Sequence, residues 1–156
     1  MRIAGIVKES VVDGEGMRYT IFVQGCPHHC KGCHNPQTWD INKGFDKSIE
    51  EIKKEILENP LIDGVTFSGG EPFIHVEELI EIGKFCKEHN ISIWCYTGFT
   101  LKELMTKDKA KELLKYIDVL VDGKYDESQK CYDNFKGSKN QNVIKIKDVL
   151  WILENI

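Results

Sequence analysis

The chain has 156 residues, 41% of them hydrophobic and 29% charged, the balance of a globular protein with enough sequence to bury a core, and its length predicts one domain, 1–156. A formal net charge of -4 and a pI near 5.8 argue against a nucleic-acid partner, and lysines 136, 139, 145 and 147 read as a solvated face. No apolar run approaches the roughly 18 residues of a membrane span, and no signal peptide precedes Met1-Arg2-Ile3-Ala4, so no membrane association and a reducing cytoplasm are expected.

In chain order, Asp13 to Arg18 has the Asp-Gly and Glu-Gly pairs of a turn, and Tyr19 to Gly25 reads as a strand. That strand delivers the chain into a run with three cysteines, Cys26, Cys30 and Cys33. Ser48 to Glu58 spaces Ile49, Ile52, Ile56 and Leu57 as one face of a helix, closed by Asn59-Pro60. Gly64 to Ser68 is a short apolar strand ending in Gly69-Gly70. Val76 to Glu88 is an amphipathic helix, and Ile91 to Tyr96 a strand ending at Thr97-Gly98. Residues 100 to 116 give one interrupted helix or two short ones. Asp118 to Val121 is a strand ending in Asp122-Gly123, Val143 to Ile146 the last strand, and Asp148 to Glu154 a closing helix.

Strands alternating with helices imply parallel pairing through right-handed crossovers. A full eight-fold barrel needs at least about 200 residues, so the expected fold is α/β: an open, incomplete (β/α) barrel of about five or six parallel strands with outer helices. Four loops then share one end of the sheet, past the strands' C-terminal ends, where such folds build their sites. They are the cysteine loop, Ser68-Gly69-Gly70-Glu71-Pro72, Tyr96-Thr97-Gly98 and Asp122-Gly123-Lys124. The open side leaves room for a macromolecule.

The spacing Cys26-x3-Cys30-x2-Cys33 carries the most chemistry. A cubane iron–sulfur cluster is normally held by four thiolates, so three in one short loop suggest a cluster with one iron left open. The other reading is structural zinc, with His28, His29 or His34 as fourth ligand, although zinc sites usually pair ligands across a dozen residues or more. Cys86 and Cys95 fall on apolar faces and read as core residues, and nothing in the sequence assigns Cys131 a role. Gly69-Gly70-Glu71 offers a backbone without side chains beside an acid, suited to a cosubstrate with an ammonium group. It reads equally as a strand-to-helix turn with an acid near a helix N-terminus. Trp39 reads as a packing residue.

The cysteine loop followed by Gly69-Gly70-Glu71-Pro72 resembles the radical S-adenosylmethionine enzymes. The run Cys33-His34-Asn35-Pro36-Gln37-Thr38-Trp39-Asp40 resembles their glycyl-radical-enzyme activases, in particular the small subfamily acting on anaerobic ribonucleoside-triphosphate reductase. Asp13-Gly14-Glu15-Gly16-Met17-Arg18, Trp94-Cys95-Tyr96-Thr97-Gly98 and Gly137-Ser138-Lys139-Asn140-Gln141 extend the likeness over nearly the whole chain.

The resemblance implies that Cys26, Cys30 and Cys33 hold a [4Fe-4S] cluster whose open iron is chelated by S-adenosylmethionine. Reductive cleavage then gives methionine and a 5′-deoxyadenosyl radical, which takes a Cα hydrogen from one glycine of the reductase. A flavodoxin or ferredoxin is the implied kind of electron donor. By the same resemblance, Gly69, Gly70 and Glu71 engage the methionine ammonium, and the main chain of Gly32, Cys33 and His34 lies against the adenine. Thr97, Asp122 and Lys124 contact cosubstrate at their strand ends. Most of the superfamily has an aromatic residue where this chain has Gly32, so adenine stacking must come from elsewhere, His34 being the candidate. Tyr96 replaces the acid that a related activase places before its threonine. An activase of another glycyl radical enzyme, such as pyruvate formate-lyase, and a non-catalytic zinc-binding domain are the alternatives.

Overall fold

Strands β1 (Arg2–Ser10), β2 (Arg18–Val23), β3 (Phe45–Asp46), β4 (Gly64–Gly69), β5 (Ser92–Tyr96), β6 (Val119–Asp122) and β7 (Asn142–Lys145) form a single mixed sheet in a computed structural model that describes residues 1–154. Their spatial order is β3-β1-β2-β4-β5-β6-β7. Helices α1 (Ile49–Glu58), α2 (Val76–Glu88) and α4 (Asp108–Leu114) join the central strands, with α3 (Leu101–Leu104) ahead of α4 and α5 (Leu150–Glu154) near the end. The chain is therefore mixed α/β.

The expectation of five or six parallel strands is corrected to four. β2, β4, β5 and β6 pair in parallel, whereas β1 is antiparallel to β2, β3 to β1, and β7 to β6. The cause lies in the connections. β1 reaches β2 through residues 11–17, a link too short for a crossover, and only short 3-10 turns separate β6 from β7. β1 was not foreseen because its apolar pattern is weak: of its apolar residues only Ile3 packs fully into the core.

The register sorts side chains by face. Tyr19, Ile21 and Val23 of β2 align with Val65 and Phe67 of β4, Ile93 and Cys95 of β5, and Leu120 of β6. All are buried, and they share one core with Ile52 and Ile56 of α1, Leu79 and Ile82 of α2, and Leu113 and Leu114 of α4. The helices form where predicted because their signals agree: Ser48 caps α1 by accepting from Glu51 N at 3.1 Å, and Thr100 and Glu103 make a capping box that starts α3. Residues 100–116 resolve into two short helices.

The other sheet face is mixed, with Arg18, Thr20, Thr66, Ser92 and Tyr96 beside Phe22, Trp94 and Val121, and the β1–β2 loop lies across it. Thr66 Oγ1 donates to the Asp13 carbonyl at 2.7 Å, and Arg18 Nη1 donates to the Glu15 carbonyl at 2.9 Å. Arg18 is almost fully buried and also donates to Thr66 Oγ1 and to the Val65 and Ser92 carbonyls. Burial lowers its pKa to about 10, with Asp118 and Asp63 opposing the fall. Asp13 to Arg18 is thus a turn, anchored by its own arginine. Among the described residues no helix is long and apolar enough to cross a membrane.

Candidate active site

The cysteine loop is built as a stitched neck with a free head. Gly25 N donates to the Thr38 carbonyl at 2.6 Å and Cys26 N to the Trp39 carbonyl at 3.1 Å. Gln24 Nε2 adds bonds to the Gln37 and Asp40 carbonyls. Within the head, Cys33 N bonds the Cys30 carbonyl, and Gly32 takes φ +75°, a conformation that glycine adopts without strain.

All six cysteines are free thiols. Cys26, Cys30 and Cys33 are half-buried and line one cavity of about 770 Å³, together with Gly69, Gly70 and Thr97. Asn35 N already points at Cys33 Sγ, 3.3 Å away, the kind of N–H···S bond that supports a metal thiolate. Burial pushes the Cys26 thiol up, against backbone N–H groups of His28 and His29 that favour its thiolate, and the charge on Glu71 raises it further. Among the described residues no group of three or more His, Cys, Asp or Glu is gathered to hold a metal ion. The three cysteines line one cavity, and a cubane, whose irons take thiolates at separate corners, fits such a donor set.

The second motif meets this loop directly. Gly70 N bonds the Val23 carbonyl and Glu71 N the Gly25 carbonyl, so the end of β4 is laced to the cysteine neck. A Cβ at Gly70 would run into the Gly25 carbonyl oxygen, which explains a glycine there by packing. Glu71 is fully buried. Its Oε1 receives His28 Nε2–H at 2.7 Å and Gly98 N–H at 2.7 Å, its Oε2 receives Phe73 N–H at 2.9 Å, and Thr97 Oγ1 lies within 2.9 Å of both oxygens. The carboxylate expected to meet an ammonium group is instead saturated by protein donors and does not line the cavity.

The remaining expected residues divide. Thr97 and His34 line the cavity. Asp122 is buried and accepts from Leu101 N at 2.8 Å and Asn142 Nδ2 at 3.1 Å, so it starts α3 and ties down β7. Lys124 is exposed and stands off the cavity wall. Gly32 lies beside Glu127. Sequence reasoning missed three residues of this region. His28 was weighed only as a zinc ligand. Trp39 does pack, stacking on His29 with ring centroids 4.5 Å apart, yet it also lines the cavity. Tyr125, two residues past a strand-end glycine, lies 4.9 Å from the His34 ring. A second cavity of about 790 Å³ opens at the opposite ends of the strands, beside Arg18, Ser92 and Val119, and contains none of the expected site residues.

Comparison with known proteins points to iron–sulfur chemistry. Residues 12–144 match the model of the 4Fe-4S single cluster domain family. The anaerobic ribonucleoside-triphosphate reductase-activating protein of Pasteurella multocida (strain Pm70) is 37% identical over 84% of this chain and 89% of its own. That of Enterobacteria phage T4 is 33% identical over 90% of this chain and 91% of its own. The pyruvate formate-lyase-activating enzyme of Clostridium pasteurianum is 38% identical, covering 99% of this chain and 64% of that enzyme. The chain belongs to the 4Fe-4S single-cluster family, among the radical S-adenosylmethionine activating enzymes of glycyl radical enzymes.

Proposed function

We propose that this protein uses the cavity at the C-terminal ends of β2, β4 and β5 to activate anaerobic ribonucleoside-triphosphate reductase, generating the glycyl radical of that partner. The observation that carries the reading is the convergence of Cys26, Cys30 and Cys33 with the Gly69-Gly70 backbone on one cavity wall. The cofactors are a [4Fe-4S] cluster and S-adenosylmethionine; bound there, they supply reductive cleavage of the sulfonium bond and hydrogen abstraction from a glycine.

The chain's own residues provide holding, orientation and enclosure. Cys26, Cys30 and Cys33 are the proposed cluster ligands, three rather than four, so that one iron stays available to cosubstrate. The Gly69-Gly70 backbone is the proposed neighbour of the methionine group. Glu71 acts one step back, joining the cysteine loop through His28 to the β5 end through Thr97 and Gly98. Asp122 fixes the β6 end in the same way through Leu101 and Asn142. The main chain at Gly32, Cys33 and His34 is the proposed neighbour of the adenine.

The finer fold reading is an open, incomplete barrel. α1, α2 and α4 all cover one sheet face, and both cavities and the β1–β2 loop occupy the other, as the inside of a barrel would. We take residues 1–156 as one domain working in the cytoplasm, with a flavodoxin- or ferredoxin-like electron donor. The likeness to a formate-lyase activase keeps that enzyme as the second candidate partner. Offering each purified partner to the reduced protein with S-adenosylmethionine, and recording which acquires a glycyl radical, separates the two.

A further inference from the structure

In the Gly137-Ser138-Lys139-Asn140-Gln141 segment, whose Gly137 and Gln141 line the cysteine cavity, the side chains of Ser138, Asn140 and Gln141 grip one stretch of backbone. Ser138 Oγ accepts from Asp126 N at 3.1 Å, Asn140 Nδ2 donates to the Lys124 carbonyl at 2.8 Å, and Gln141 Nε2 donates to the Gly123 carbonyl at 2.9 Å. Gln141 Oε1 closes the segment on itself by accepting from Gly137 N and Ser138 N. These bonds bracket Tyr125 from both sides. Gly137 faces the ring, and a Cβ there would sit 3.1 Å from Tyr125 Cδ1.

Tyr125 lines the cysteine cavity, and its ring centroid is 4.9 Å from that of His34, which follows the third cysteine. At Gly32, before that cysteine, φ is +75° and the space a side chain would enter holds the Glu127 carboxylate, which also pairs with Lys31 at 3.5 Å. The segment that occupies the side-chain space of residue 32 therefore brings its own aromatic ring two residues earlier. Of the other rings lining the cavity, Trp39 stacks on His29, Phe135 meets Trp94 edge-on, and the exposed Tyr132 lies under the Lys130 ammonium, whereas Phe22 and Tyr96 belong to the strands of the sheet.

We propose that Tyr125, seated by Ser138, Asn140 and Gln141, is the aromatic platform for the adenine of S-adenosylmethionine and takes over the role that Gly32 cannot fill. This rests on the cavity being the cosubstrate site. A flat ring offers stacking to a base at little conformational cost, and His34 forms the adjoining wall.

The test uses the full chain with its cluster reconstituted anaerobically, and measures equilibrium binding of S-adenosylmethionine and of methionine, which lacks the adenine. Tyr125→Leu should raise the Kd for S-adenosylmethionine about tenfold, leaving methionine binding and iron content unchanged. Tyr125→Phe, which keeps the ring, should stay within about twofold of wild type. Gln141→Leu should follow Tyr125→Leu in direction, while Lys139→Ala, whose side chain is exposed, should have no effect. Wild-type affinity in Tyr125→Leu, or an equal loss for methionine, would overturn the assignment. A wild-type protein that bound neither compound would overturn the reading of the cavity itself, and the platform with it.

Discussion

His28 Nε2 and Glu71 Oε1 lie 2.7 Å apart in the interior, joining the middle of the cysteine loop to the residue that follows the double glycine 43 positions later. His28 is held on its other side by the Phe99 ring, centroid to centroid 4.6 Å at 78°. Three of the loops proposed above as the cosubstrate site thus share one buried carboxylate. Such a group is firm only while every donor around it is matched, because an unpaired buried donor costs about 1–3 kcal/mol.

Glu71→Gln sets an amide NH2 against donors that have no other partner. It should lower stability by about 1–3 kcal/mol, a few degrees of Tm for each kcal/mol, and reduce the iron retained by the reconstituted protein. Thermal unfolding monitored by circular dichroism, with iron analysis, checks both. Unchanged stability and iron with weakened S-adenosylmethionine binding would instead return Glu71 to direct contact with the ammonium group.

Gly70→Val separates two roles of the double glycine. A ligand-clearance role alone predicts weaker S-adenosylmethionine binding at normal iron content. The approach of Gly70 to the Gly25 carbonyl predicts more: the added side chain pushes on the neck of the cysteine loop, so iron content falls as well. Iron and sulfide assays on the reconstituted variant decide between them.

Cys26→Ala, Cys30→Ala and Cys33→Ala should each abolish the four-iron absorption and activity, since three ligands already leave one iron without a thiolate. Cys86→Ala and Cys131→Ala should keep both. Cys86 is sealed in the core on the buried face of α2, where burial pushes its thiol up to about 12, well away from metal-binding reactivity.

Cluster assembly should also depend on pH in a definite direction. Burial raises the Cys26 thiol above its ordinary range, and metal binding requires the thiolate. Below that raised pKa the thiolate fraction grows about tenfold per pH unit, so the rate of iron and sulfide uptake by the apoprotein should rise from pH 7 to 9. Alkylation of Cys26 by iodoacetamide, followed by peptide mass spectrometry, should rise over the same interval. Uptake that is flat or falls with pH would contradict the assignment of Cys26 as a buried thiol ligand.

Local pattern carried much of the architecture. α1 and α2 were legible because Ile52 and Ile56, and Leu79, Ile82 and Cys86, recur at helical spacing beside clear caps. β4, β5 and β6 were legible as short apolar runs ending in glycine or polar turns. β1 was hidden because its partner, not its own pattern, makes it a strand, and the direction of β7 depended on the missing crossover helix after β6. At the site, the cysteine spacing pointed to the cavity, but the partner of Glu71 could not be read from sequence. His28 and Glu71 meet only after β2 and β4 pair in register. Tyr125 was invisible for the same reason, since its bracket spans residues 123 to 141 and forms only when β7 folds back on β6.

The most direct measurement is electron paramagnetic resonance on purified anaerobic ribonucleoside-triphosphate reductase incubated with this protein, S-adenosylmethionine and a strong reductant, with 5′-deoxyadenosine quantified in parallel. The account predicts a glycyl radical on the wild-type reductase, formed alongside 5′-deoxyadenosine, and none when the partner's radical glycine is changed to alanine or when Cys30→Ala replaces the wild-type activase. Full 5′-deoxyadenosine production with no reductase present, and no radical on the reductase when it is added, would contradict it.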